Sequence, residues 1–419
     1  MIIVSDVSLL NRDAWMQNQS TLQVDLSAVE HNCFAIRSHI GTNCKFCAVV
    51  KADGYGLGAV RIGSKLSNHA NMLAVYSADE AGALLSAGIQ SEILVLAPVY
   101  TVDRFHPLYR GITTGRVHLV VHGADQLHAI MQMARRFGSV INVHIKVDTG
   151  LHRGGCDPWE AAGLIKSTLL EQRLKLMGIM THFSSAVHDA LMTRLQHDRI
   201  DKLLDSLVYK LPADCLVHEA NSAAAVQWPW THRNMVRVGL AWTGTVPAPL
   251  VGLEGFRPVV SWAARLAHVR SVRKGEHVGY GGTWIAKRNS TIGIIPVGYA
   301  AGYPMGVGAD RQQSGAFVHV LCKKGKDSIG DAPVIGAICM DQIAIDLTDL
   351  KTTNIDVGCV TELLSARTQS KASLSHVAHV AGIVPHAVIS RISTRVTRTY
   401  RSEGLQIGAR ERAKSALGM

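Results

Sequence analysis

The sequence predicts an α/β chain in which an N-terminal (β/α)8 barrel is followed by a mainly β domain. Three observations carry this. Short apolar runs alternate with amphipathic stretches from residue 21 to about residue 244. A segment rich in proline and glycine (Pro247, Pro249, Gly252, Gly255) then interrupts the rhythm. Beyond it the runs are short and separated by glycines, with no long helical pattern before residue 373. Alternating strands and helices build a parallel sheet, and about eight alternations over roughly 220 residues suit a closed barrel. At 419 residues the chain is long for one core, so two domains are the natural division. The expected boundaries are an extension over 1–20, a barrel over 21–250 and a β domain over 251–419.

Residues 22–26 alternate as the first strand. Ser27 then caps a helix running to residue 40, with Glu30 three positions later completing a capping box. Residues 46–50 are continuously apolar and end in Val49 and Val50, the signature of a strand buried on both faces. Further strands are expected at 72–75, 93–96, 118–121, 140–147, 176–180, 216–219 and 235–239. Helices are expected at 78–87, 124–137, 158–170 and about 192–207. In the second half, 259–272, 277–278, 290–297, 316–321, 333–338 and 342–346 read as strands. A helix is expected at 373–381.

Composition excludes several classes. Hydrophobic residues at 47% and charged residues at 18% describe an ordinary globular enzyme. Aromatic residues make up only 5%, too few for a base-stacking surface. The net charge of +11 favours anionic ligands such as phosphates and carboxylates. Arginines concentrate late, at Arg391, Arg395, Arg398, Arg401, Arg410 and Arg412, with no nucleic-acid reading element beside them. They read as a solvated basic helix or tail. Of eight cysteines only Cys44 and Cys47 form a CxxC, and no second pair follows at zinc spacing. Neither a metal site nor a disulfide framework is expected. Residues 1–20 lack a basic region followed by an apolar core, and no run approaches the roughly 18 apolar residues of a membrane span. A cytoplasmic protein is the default expectation.

The chemistry centres on Lys51, at the end of the 46–50 run and ahead of Asp53-Gly54-Tyr55-Gly56-Leu57-Gly58. A buried ammonium loses hydration, its pKa falls, and the free amine becomes the nucleophile that a Schiff base requires. The alternative is a lysine whose stem packs while its head reaches water. The segment alone leaves both open.

Val49-Val50-Lys51-Ala52-Asp53-Gly54-Tyr55-Gly56-Leu57-Gly58 resembles the cofactor-lysine motif of the alanine racemase family, whose members use pyridoxal 5'-phosphate (PLP). Further motifs follow in order: Lys146-Val147-Asp148-Thr149-Gly150, with Arg153; Thr181-His182-Phe183; Ala220-Asn221-Ser222-Ala223-Ala224; Val236-Arg237-Val238-Gly239-Leu240; Tyr280-Gly281-Gly282-Thr283; and Ile338-Cys339-Met340-Asp341. The resemblance spans about Leu22 to Arg398. It implies that Lys51 binds PLP covalently and acts as one base, with Tyr280 as the second base on the opposite face. It places Tyr55, Ser222 and the backbone of Gly239 and Leu240 on the phosphate. His182 lies against the ring, and Arg237 faces the pyridine nitrogen. Arginine hardly ever gives up a proton, so the ring stays a weak electron sink, which favours prompt reprotonation at Cα over transamination. Arg153, Tyr299, Met340 and Asp341 are implied around the substrate, and Lys146 matches a lysine that some members carry carbamylated.

A homodimer with shared active sites follows from the same resemblance, with a small amino acid as substrate and neither nucleic acid nor membrane as partner. The expected role is interconversion of L- and D-alanine, supplying D-alanine for peptidoglycan. Four positions depart from the family pattern. Leu57 replaces histidine, Ala301 aspartate, Ala337 arginine and Thr394 tyrosine. The last leaves room for a larger side chain, so a broader racemase accepting serine is the alternative. A PLP-dependent decarboxylase would leave the Tyr280 motif without a role, and a non-catalytic PLP-binding protein would need no β half.

Overall fold

The computed structural model describes residues 20–245, 255–310, 313–325, 327–350, 355–367, 369–402 and the backbone of 405–407. The extension over 1–19, most of the expected linker, and Arg410 and Arg412 lie outside the described residues. Val29–Phe256 forms one compact unit; residues up to Ala28 and from Arg257 onward form the other.

Strand β1 (Ser20–Asp25) corrects the sequence reading. Its alternating burial suits a sheet with one solvated face. It pairs antiparallel with Val260–Arg265 and parallel with Thr397–Ser402, inside the β unit rather than the barrel. Removing it from the nine expected strand segments leaves the eight of the barrel. The helix after it, Leu26–Ile40, is capped by Asp25, whose Oδ1 accepts from Ser27 N at 2.9 Å and Ala28 N at 3.0 Å. Ser27 is therefore not the cap. Glu30 instead accepts from Lys65 Nζ at 2.7 Å and pairs with His69 at 3.1 Å.

The barrel strands are β2 (Lys45–Val49), β3 (Met72–Val75), β4 (Glu92–Val95), β5 (Val117–Val121), β6 (Ile141–Lys146), β7 (Leu174–Met180), β8 (Leu216–His218) and β9 (Met235–Val238). All their pairings are parallel, in the order β8-β7-β6-β5-β4-β3-β2-β9. Between β8 and β9 the ring is tied by a few bonds, and Asn234 N donates to Val217 O at 3.2 Å. Asn234 Oδ1 accepts from Val217 N at 2.9 Å, and Arg237 N donates to Ala220 O at 2.9 Å. One apolar core of the barrel contains Cys47, Val49, Met72, Ala74, Leu94, Val120, Met180 and Met235. Cys44 and Cys47 are buried free thiols, pushed up to about 11 and about 12 by burial. They are packing residues, not reactive ones.

The β unit is a ten-stranded sheet with β1 near one end, plus a two-stranded hairpin of His277–Val278 and Trp284–Ile285. One of its cores gathers Val272, Ala286, Ile292, Ala309 and Ile335. The expected strand over 259–272 is two strands, Val260–Arg265 and His268–Val272. The helix expected at 373–381 is present as Leu374–Val380. The late arginines are partly structural. Arg398 donates to the carbonyls of Ile392, Ser393 and Val396, and Arg395 pairs with Asp341 at 3.0 Å.

Candidate active site

Lys51 follows β2 after Val50, at the C-terminal face of the barrel, where functional groups of this fold gather. The chain then makes a left-handed turn, with φ of 53° at Ala52, 53° at Asp53, 61° at Gly54 and 57° at Tyr55. Three of these residues carry a Cβ, and each pays about 1–2 kcal/mol for that backbone. Two carboxylates hold the turn. Glu80 Oε1 accepts from Ala52 N at 2.7 Å, and Asp53 Oδ1 accepts from Ala59 N at 2.8 Å. Glu80 also caps its own helix, Ala78–Ser86, accepting from Tyr76 N at 2.7 Å through Oε2. The Lys51 ammonium is held below its ordinary value by burial first and by Arg153 second, with Glu80 opposing.

Around the same end lie Lys146, Arg153, His182, Ser222, Arg237, Gly239 and Leu240. Lys146, at the end of β6, is pushed down to about 8 by burial, then by Arg153 and Arg237. Arg153 leaves a loop folded by Asp148, whose Oδ1 accepts from the backbone of Gly150, Leu151 and His152. Arg237 is buried on β9. It donates to Thr181 O at 2.6 Å and His218 O at 2.8 Å, and approaches His182 Nδ1 at 3.3 Å. Burial, then Arg237 and Arg153, hold His182 well below the ordinary imidazole range.

Ser222 opens the helix Ser222–Gln227, but Asn221 is its cap, accepting from Ala224 N at 3.1 Å. The serine is thereby released. Its Oγ accepts from Gly239 N at 3.0 Å and Ala241 N at 3.3 Å, which leaves the hydroxyl hydrogen to donate elsewhere. Tyr55 is kept protonated by burial, which pushes its phenol to about 12. Its hydroxyl approaches Gly239 so closely that a methyl group there would fall 2.0 Å from it. The ring stands edge-on to Trp242, whose indole donates to Val49 O at 2.9 Å. Glu80 and Trp242 were not singled out from the sequence. Glu80 had a signal, the Ser77-x-x-Glu80 capping box; Trp242 had none.

Tyr280, Tyr299, Met340 and Asp341 belong to the β unit. Tyr280 opens the turn Tyr280–Gly282 within the hairpin and is 75% exposed. Tyr299 and Ala300 donate their backbone N–H groups to the carbonyls of Cys339 and Met340, at 3.1 and 3.0 Å. That joins the Tyr299 and Met340 segments.

The barrel site gathers four cations, Lys51, Lys146, Arg153 and Arg237, near one another; Glu80 opposes Lys51, Asp148 opposes Lys146 and Glu219 opposes Arg237, which leaves the cations in excess. An anion with a reactive aldehyde would satisfy both features. Pyridoxal 5'-phosphate fits. An amine of lowered pKa can bind its aldehyde, and the Tyr55 and Ser222 hydroxyls and the glycine at 239 can meet its phosphate.

A family model described as alanine racemase, N-terminal domain, matches residues 24–247, and one described as alanine racemase, C-terminal domain, matches 259–400. The chain belongs to the alanine racemase family. It is 32% identical to the alanine racemase of Halothermothrix orenii over 91% of this chain and 96% of that protein. The Mycobacterium tuberculosis alanine racemase is likewise 32% identical, over 90% of this chain and 95% of that one. Among solved structures, the Streptomyces lavendulae alanine racemase superposes with a TM-score of 0.81 at 28% identity, covering 92% of this chain and 97% of that one. The alanine racemase from E. faecalis gives 0.80 at 28%, covering 92% of this chain and 99% of that one. This alanine racemase family member is an amino-acid racemase enzyme with the barrel and β domain that the sequence predicts. No helix among the described residues is long and apolar enough to cross a membrane.

Proposed function

We propose that this enzyme interconverts L- and D-alanine by a two-base mechanism, with Lys51 and Tyr280 as the bases and pyridoxal 5'-phosphate as cofactor. The observation that carries the reading is Lys51 itself, an amine of lowered pKa fixed on a strained, clamped turn beside Arg153. The cofactor, when bound, draws electron density from the amino acid's Cα and so acidifies its proton. Lys51, Tyr55, His182, Ser222, Arg237 and the backbone of Gly239 and Leu240 are the residues that would hold it. Lys51 Nζ takes or gives a proton on one face, and Tyr280 Oη does so on the other. Inversion needs two such groups, since one base returns the proton to the face it came from. Arg153, Tyr299, Met340 and Asp341 orient the substrate. The free Lys146 amine, available near pH 8, can add carbon dioxide through a new N–C bond and release one N–H proton to solvent, becoming an anionic carbamate near Arg153.

The active site is shared in a homodimer, with Tyr280 of the partner subunit serving the barrel that holds Lys51. The enzyme works in the cytoplasm, and its D-alanine supplies peptidoglycan. Solvent deuterium exchange at Cα tests the mechanism. Wild type washes deuterium into both enantiomers, and Tyr280→Phe impairs exchange far more than a surface control. Equal behaviour of Tyr280→Phe and the control would remove tyrosine from the two-base scheme. Thr394 is exposed in place of the family's tyrosine, which favours a second reading, a racemase of broader range. Parallel rates on alanine, serine and lysine decide between the two.

A further inference from the structure

A row of polar rings crosses the barrel interior. His118 on β5, His144 on β6 and His218 on β8 are buried at 1%, 0% and 0% exposure. His144 Nε2 lies 2.9 Å from His118 Nδ1, and His144 Nδ1 lies 2.9 Å from His218 Nε2. His218 Nδ1 in turn lies 2.9 Å from Arg237 Nη1. At the far end His118 hydrogen-bonds the backbone of Gly115. Strand β7 lies between β6 and β8, and Gly178 on it leaves the gap. A methyl group at 178 would fall 2.3 Å from His144 Nδ1.

Burial, with the other rings and Arg237 adding to it, keeps His144 and His218 well below the ordinary imidazole range. Burial takes His118 down to about 4, against the pull of its bond to Gly115. Each ring is therefore neutral and carries one proton, so each is one donor and one acceptor. Arginine has only donors. His218 Nδ1 must then be bare to accept from Arg237, which puts the proton of His218 on Nε2. That nitrogen donates to His144 Nδ1, so His144 carries its proton on Nε2 and donates to His118 Nδ1. His118 in turn is protonated on Nε2 and donates to Gly115 O.

Asn142 offers a competing arrangement. Its Nδ2 lies 3.1 Å from His118 Nε2 while donating to Gly115 O at 2.8 Å. Donation from Asn142 into His118 would reverse every link and end with an N–H of His218 aimed at Arg237, two donors face to face. The chosen direction also brings two donors together, His118 Nε2–H and Asn142 Nδ2, but both have Gly115 O as acceptor, whereas an N–H of His218 facing Arg237 would have none. A buried donor left without an acceptor costs about 1–3 kcal/mol, so the charged end sets the direction.

We propose that His218, His144 and His118 form a one-way hydrogen-bond chain, each ring protonated on Nε2 alone, that positions the Arg237 guanidinium from inside the barrel. This rests on reading Arg237 as the group facing the cofactor ring. His144 and His118 touch no substrate; they act through His218 as positioning residues. A tautomer change anywhere along the row would turn a donor of His218 toward Arg237 and displace it.

Nitrogen NMR of the full-length, cofactor-loaded enzyme made with isotope-labelled histidine reads the tautomers directly, with His118→Gln and His144→Gln assigning two of the signals. Pyrrole-type nitrogen at Nε2 and pyridine-type nitrogen at Nδ1 in all three rings is the expected result; an Nδ1–H on any of them overturns the proposal. For the positioning role, His144→Leu should lower kcat by about tenfold, the size expected when the partner fixing a ring's tautomer is lost. KM should stay unchanged and the cofactor's visible absorption band should shift. His144→Gln, which can accept at one end of its amide and donate at the other, should restore most of the loss. An unchanged kcat and band in folded His144→Leu would overturn the positioning role. The tautomers are read without any turnover, so failure of the racemase reading would show as absent activity with the nitrogen pattern intact.

Discussion

Gly239 and Lys146 show how much of the site rests on single side chains. Gly239 has an ordinary backbone, φ −113°, so its lack of a side chain serves space alone. Gly239→Ala would drive a methyl group into the Tyr55 hydroxyl. Overpacking of this kind destabilises by about 1–3 kcal/mol, which urea unfolding would measure, and a parallel cofactor titration should show weakened binding. Lys146 offers a pH test. Its ammonium titrates at about 8 in the folded chain against 10.5 ordinarily. Between those values the unfolded chain binds more protons, so stability rises with pH. Below that window both states are protonated and the burial penalty stands in full; above it both are neutral and the penalty is gone. Unfolding in carbon-dioxide-free buffer should show this rise in wild type and not in Lys146→Met, which should be the more stable of the two at neutral pH. The lysine was legible from its motif, but its lowered pKa was not, because desolvation depends on what the fold packs around it.

At the level of elements, the turn after Lys51 and the helix Ala78–Ser86 are one device. The Glu80 carboxylate caps the helix with one oxygen and clamps Ala52 N with the other. Glu80→Ala should cost about 1–3 kcal/mol in urea unfolding, because it leaves backbone donors without acceptors. It should also slow reaction of Lys51 with added pyridoxal 5'-phosphate, followed by absorbance. Glu80→Gln keeps an acceptor oxygen and should lose less on both measures. The capping box was visible as Ser77-x-x-Glu80, whereas the second contact joins residues 28 positions apart and has no local signal. Strand β1 fails in the same way. Its alternating pattern marked a strand, but nothing within six residues says which sheet it joins, and its partners begin at Val260 and Thr397.

For the whole molecule, the proposed sharing of sites in a dimer has a direct genetic test. Lys51→Ala and Tyr280→Phe should each be nearly inactive alone. If Tyr280 serves the partner's barrel, a mixed dimer of the two variants holds one site with both defects and one intact site. Co-expression should then restore racemase activity well above either variant. If each chain supplied both bases to its own site, every site would keep one defect and nothing would be regained. The measurement is racemisation by purified mixed dimers carrying two different affinity tags.

The sequence by itself marked the barrel strands and the longer helices, because period and turn chemistry are local, though it missed the helices Ala59–Ser67 and Pro107–Thr113 and the strands Val360–Leu364 and Thr397–Ser402. It also named the candidate chemistry-bearing residues, because their motifs are contiguous. Lys51, Lys146, His182, Ser222 and Arg237 were all named from it. Only the tertiary structure decided the company those residues keep. It gave the cap to Asn221 and left Ser222 with two backbone donors. It also lined up His118, His144 and His218 behind Arg237 across the gap at Gly178. Those relations join strands far apart in the chain, and a lone histidine in a buried strand carries no sign of the partner it will meet. Desolvation and hydrogen-bond direction are set by three-dimensional neighbours, which exist only once the barrel has closed.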